Sequence, residues 1–157
     1  SYAAEGKLNE RVVEIYDRIL AMGLGDDGDI GRIKAMVLNN LAMSRVRIGV
    51  QSDDQQAVLA LVEHATRIQP DVASYWGTRG WVELEFGLLE AAESSFRRSF
   101  TLNPNGAEGI TGLFIVLYTQ GETDTSETRR LKERLDALRS QGDLEEELRA
   151  KLDSFGL

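Results

Sequence analysis

The sequence contains no cysteine, which excludes disulfides, thiolate metal sites and thiol catalysis. Its single histidine, His64, removes nearly all zinc and catalytic-triad chemistry. Basic charge is in deficit, with 18 Lys+Arg against 26 Asp+Glu and a net charge of -8. Nucleic-acid binders normally carry a basic face, so that class is disfavoured. No apolar run approaches the roughly 20 residues that a membrane span needs. The opening residues, Ser1 to Gly6, have neither a basic start nor an apolar signal core. No phosphate-binding glycine loop occurs, since Gly23-Leu24-Gly25 sits among aspartates that repel an anion. What is present is ordinary globular material, 42% hydrophobic and 28% charged, in 157 residues, the length of one domain.

The only two prolines, Pro70 and Pro104, lie 34 residues apart, and Gly87 and Gly121 share that spacing. Fixed spacing of punctuating residues points to an internal repeat. Between these marks the pattern is helical. Leu8, Val12, Ile15 and Ile19 draw one stripe, as do Leu131, Leu135 and Leu138, and Leu144, Leu148, Leu152 and Phe155. The expected helices are 5–22, 31–48, 54–68, 72–86, 89–101, 106–120, 125–140 and 143–155, with no strand. Caps are expected where Asp53, Asn105, Asp124 and Asp143 each precede a Gln or Glu by three. Short links between helices favour antiparallel hairpins. The glycine- and aspartate-rich stretch 23–29 reads as a loop within the array.

Residues 73–106 resemble a tetratricopeptide repeat, a 34-residue helix hairpin. With Ala73 first, Trp76, Gly80, Gly87, Ala92, Phe96 and Pro104 fall on the signature's tryptophan, glycine, turn glycine, alanine, aromatic and proline. Residues 35–72 look like a second repeat through Leu38, Leu41, Ala42, Gly49, Ala65 and Pro70, with a longer turn at 50–56. Residues 107–140 look like a third, weaker one, in which Leu113, Leu117 and Gly121 fit and Ser126 replaces the usual alanine. Residues 8–24 resemble the second helix of an earlier repeat, and 143–155 would cover the last apolar face. The resemblance implies one all-α domain over 1–157, an α-solenoid of about three repeats with flanking helices. A start on a half-repeat leads us to expect a fragment of a longer protein.

The resemblance also implies a function: a non-catalytic scaffold that binds a peptide or partner protein in a concave groove, with no cofactor or metal and no nucleic acid. Self-association, assembly, or regulation within a larger multidomain protein are the alternatives. Groove positions in such repeats are the second, fifth, ninth and thirteenth. The fifth row is Asn39, Gly77 and Thr111, the ninth Met43, Trp81 and Ile115, and the thirteenth Arg47, Glu85 and Thr119. Trp81 is expected either to anchor a ligand, with Gly77 leaving room beside it, or to pack on a neighbouring helix or the chain's own tail. Asn39 and Asn40 can hold a ligand backbone or make solvated bonds. Only Arg47 is basic in these rows, which disfavours a ligand held by its C-terminal carboxylate. The negative net charge favours neutral or basic partners. Arg79 and Glu83 are four apart, and Arg45 is expected to join them in a half-buried register-fixing cluster. Nothing places two of Glu83, Glu85, Glu90 and Glu93 across a cleft, so no hydrolytic carboxylate pair is expected.

Overall fold

The computed structural model describes the backbone of residues 2–157 and the side chains of residues 6–157. Among them are eight α-helices and no strand: α1 (Tyr2–Ala21), α2 (Gly28–Ile48), α3 (Gln55–Ile68), α4 (Ala73–Glu85), α5 (Leu89–Leu102), α6 (Ala107–Thr119), α7 (Ser126–Gln141) and α8 (Glu146–Ser154). A single 3-10 turn, Ser52–Asp54, fills the longer link before α3. Each helix packs on the next from α1 to α7. A second set of contacts joins α2 to α4 and α4 to α6. Among the described residues no such close backbone approach joins α3 to α5 or α5 to α7, which meet only through long side chains such as Arg97 and Glu127. The first helices of the hairpins therefore form a closed inner row and the second helices a splayed outer row. This is an α-solenoid of stacked hairpins.

The 34-residue spacing of Gly87 and Gly121 is a repeated chain reversal. Both glycines take the left-handed conformation, at φ 75° and 90°. Leu88 N–H then donates to the Glu83 carbonyl at 2.8 Å, and Glu122 N–H to the Leu117 carbonyl at 2.9 Å. The same closure ends α4 and α6 without the clash that a side chain would bring.

One ring locks three helices together. Phe96 of α5 is fully buried. Gly80 of α4 and Gly112 of α6 lie against its ring, and a Cβ at either would strike it. Trp81 meets Phe96 edge-on, with centroids 4.8 Å apart. Trp76, by contrast, is only half-buried. Its indole N–H donates to the Pro70 carbonyl at 2.9 Å and Arg79 covers its ring, so it ties down the loop before α4. In the stripes, Leu131, Leu135, Leu144, Leu148 and Leu152 enter the core, whereas Phe155 stays 43% exposed.

The polar cluster at Glu83 differs from expectation in one member. Glu83 is buried and accepts from Arg79 Nε at 2.8 Å and from Ser95 Oγ at 2.6 Å. Arg45 does not join it; its guanidinium turns to Asp17 of α1, at 2.9 and 3.1 Å from the two carboxylate oxygens. Ser95 is instead the second partner of the Glu83 carboxylate. His64 has a structural role: its Nε2 lies 2.8 Å from Asp26 Oδ2, and Lys34 Nζ lies 2.7 Å from Asp26 Oδ1. That triplet pins the α1–α2 loop to α2 and α3. The Lys34 ammonium and His64 together hold the Asp26 carboxyl at about 2.

The expected caps need a second correction. α3, α6 and α8 begin at Asp54, Gly106 and Glu145 with no side-chain cap bond. α7 does carry a capping box, but its members are Thr125 and Thr128. Asp124, one residue earlier, is drawn away by Arg129, whose guanidinium reaches its carboxylate at 2.8 Å.

Candidate functional site

A cavity of about 630 Å³ opens on the inner side of the helix row. Leu8, Asn9, Val12 and Tyr16 of α1 form one wall, and Asn39, Asn40, Met43, Ser44 and Arg47 of α2 the next. Thr78 and Trp81 of α4 lie at its base, beside Ala107 and Glu108 at the start of α6. Glu145, Glu147, Leu148 and Lys151 close the far side, because α8 returns across the array to pack on α6. Arg47 joins that return to α2, its NH2 lying 3.1 and 3.0 Å from the two Glu147 oxygens.

Two buried polar atoms at this site have no partner. Asn39 is 9% exposed. Its Nδ2 donates to Asn40 Oδ1 at 3.2 Å, and Asn40 Nδ2 donates to the Tyr16 hydroxyl at 3.4 Å. This chain leaves Asn39 Oδ1 without a hydrogen bond. The Trp81 indole N–H is also without one, though it faces Glu108 closely enough to favour that residue's charged form. Native proteins satisfy nearly all such atoms, so the Asn39 oxygen in the wall of this cavity is notable.

Glu108 is the site's titratable centre. Burial pushes its carboxyl up to about 7, and Glu147 and Glu145 push the same way. The Trp81 N–H and the Lys151 ammonium oppose them. Lys151 Nζ stands 4.5 Å from the centroid of the Trp81 ring, a cation–π placement. Among the described residues Lys151 forms no ion pair.

No protein-family model and no curated protein matches the sequence. Solved structures do match by shape. A structure titled "Crystal structure of MamA" superposes with a TM-score of 0.60 at 14% identity, covering 85% of this chain and 80% of that one. A second, "Crystal structure of MamA protein", gives 0.57 at 15% identity, covering 87% and 76%. The fold is TPR-like. At these identities the likeness speaks for architecture alone.

On this TPR-like frame the expected groove residues divide. Asn39, Asn40, Met43, Arg47 and Trp81 come together around the cavity. Trp81, however, is only 5% exposed and presents an edge of the cavity floor, not a free indole. It takes up the packing alternative, held between Phe96 and Lys151 of the returning tail. Gly77 is buried and leaves no room for a ligand; a Cβ there would meet the Glu108 side chain, which fills the space. Ile115 is 0% exposed and lies in one core cluster with Leu148 and Leu152 of α8, so the open apolar strip expected through it is absent. Glu85 is exposed and lines a separate small recess near Val46, Gly49 and Phe86. Thr111 is fully buried.

Tyr16, Glu108, Glu145, Glu147 and Lys151 were not among the expected residues. Glu108 had a signal: with Ala107 first, it is the second position of the third repeat, a groove position. The α8 residues had none, because helical periodicity does not say onto which face a terminal helix folds.

Proposed function

We propose that this chain is a non-catalytic protein-interaction module that takes a short segment of a partner protein into the cavity on its inner face. The supporting observation is the orphaned Asn39 Oδ1, nine-tenths buried and lining an open cavity. An unpaired buried acceptor costs about 1–3 kcal/mol, and a ligand donor would recover it once the Asn39 side chain turns its oxygen to the cavity. The volume suits a few side chains of a peptide and not a folded surface. No catalytic role is assigned to the site: it gathers carboxylates, amides and a lysine without a nucleophile held by a base. The test is peptide display against the chain, counter-selected with Asn39→Leu, which replaces the wall's amide by an apolar group of similar size. The reading expects peptides that bind the parent protein and lose about tenfold against the variant, the equivalent of one hydrogen bond. Enriched peptides that bind both proteins equally would contradict it.

A second reading is self-association through α1 and the first turns of α2. On α1 and the turn that follows it, Leu8, Ile15 and Met22 are 63%, 54% and 75% exposed at intervals of seven. On α2, Ile30, Ile33 and Met36 are also about half exposed. Solenoid hairpins bury such faces on a neighbour, and a second copy would supply one. Light scattering across a concentration series decides. A dimer abolished by Ile15→Glu and Met22→Glu supports this reading, and a monomer at every concentration rejects it.

A further inference from the structure

We infer that the inner cavity is a subsite for a basic side chain of the partner segment, the ammonium of a lysine or the guanidinium of an arginine, and that Lys151 occupies the cation position in its absence. This rests on the proposed binding of a peptide in that cavity and specifies what is bound there.

The lining is built for positive charge. Three carboxylates, Glu108, Glu145 and Glu147, face two cations, Arg47 and Lys151. Arg47 is already engaged by Glu147. That leaves Glu108 and Glu145 against the single ammonium of Lys151, which forms no ion pair with either. The orphaned Asn39 Oδ1 is an acceptor, and its own NH2 is committed to Asn40. The Trp81 N–H is turned to Glu108, which leaves Asn39 Oδ1 as the wall's unpartnered acceptor. That acceptor, two carboxylates without an ion-pair partner and an aromatic face already covered by an ammonium describe the same complement: an N–H donor with positive charge. The raised Glu108 carboxyl accords with this, since its burial lacks a full counter-charge.

Lys151 is well placed to yield. It lies on the nine-residue α8, whose tie to α2 is the half-exposed Arg47–Glu147 pair. Exposed pairs of this kind contribute little stability. An incoming cation would take the Trp81 face and Glu108, while the flexible Lys151 stem turns its ammonium to water.

The experiment reads the two indole N–H resonances of the full chain. The Trp76 N–H is held by the Pro70 carbonyl, outside the cavity, and serves as the internal control. The probes are capped lysine, capped arginine, capped norleucine, capped glutamate and spermidine. The inference expects saturable shifts of the Trp81 resonance alone, with capped lysine or arginine binding about fivefold more tightly than norleucine, the equivalent of one cation–π contact. Lys151→Met is expected to strengthen binding of the cationic probes, and Glu108→Gln to weaken it. A merely structural Lys151 would produce no strengthening. Equal binding of norleucine and lysine overturns the inference. So does preference for capped glutamate, which would mean that the Asn39 and Asn40 amides are turned over and present a donor. Tighter binding of spermidine than of either capped residue overturns the peptide source. Should display-selected peptides reach the cavity while the cationic probes show no preference, this inference alone fails. Should neither reach it, the reading on which it rests fails as well.

Discussion

Glu108 shows how one residue couples stability to acidity in this protein. Its carboxyl is raised from 4.5 to about 7, chiefly by burial. The folded state therefore holds this proton more tightly than the unfolded chain does. Stability is highest below 4.5, falls as pH rises to about 7, and is flat beyond. The groups facing it are the Trp81 N–H from α4 and Glu145, Glu147 and Lys151 from the tail. Glu108→Gln should remove this slope and stabilise the fold at pH 8 by on the order of 2 kcal/mol, read from urea midpoints across pH 4.5–8. Asp26 acts in the opposite sense and in another window: its lowered carboxyl contributes stability that is lost as pH falls from 3.8 towards 2. Glu83 illustrates a different dependence. Glu83→Ala leaves the buried Ser95 hydroxyl without its acceptor and Arg79 with only Thr66 and Glu63 nearby, and should lower stability by about 2 kcal/mol in chemical denaturation. The Arg79–Glu83 pair was legible from its four-residue spacing. Its third partner was not, because Arg45 had carboxylates within reach on two elements and pairs with Asp17 of α1.

At the scale of elements, apolar periodicity and turn glycines located the helices to within a few residues. Helix starts were read less well. A cap depends on which of several nearby oxygens is free, and at α7 Arg129 takes Asp124 and leaves the task to Thr125. The α8 start moved for a related reason. Gly142 closes α7 in the left-handed conformation, Asp143 N–H bonds back to the Leu138 carbonyl, and Leu144 drops into the core before the helix begins. The tightest coupling between elements is at Phe96. Gly80 was legible as a small residue at a close approach, whereas Gly112 lies outside the repeat signature and its role emerged only from the ring it accommodates. Gly112→Ala should cost about 2–3 kcal/mol, because the ring is enclosed and cannot shift. Arg97→Ala offers a contrast. Its bonds to Glu93 of α5 and Glu127 of α7 are 2.7 Å long but half in solvent, and its loss should change stability by under about 1 kcal/mol. Thermal denaturation of the two variants side by side checks both values.

Across the whole molecule, stacked hairpins bring α2, α4 and α6 into one inner row, and α8 folds back to make that row a cavity. Half of the site was legible, namely the part contributed by repeat positions on α2 and α4. The rest depends on α8, which converts Trp81 and Ile115 from groove lining into core and supplies Glu145, Glu147 and Lys151. The central claim is that partners enter on this inner side and not along the splayed outer helices. Amide chemical-shift mapping with a display-selected peptide tests it most directly. The account predicts that the largest shifts fall on Asn39, Asn40, Met43, Glu108 and Lys151, with α3, α5 and α7 unmoved. Shifts concentrated on those outer helices, with the cavity residues silent, would contradict it.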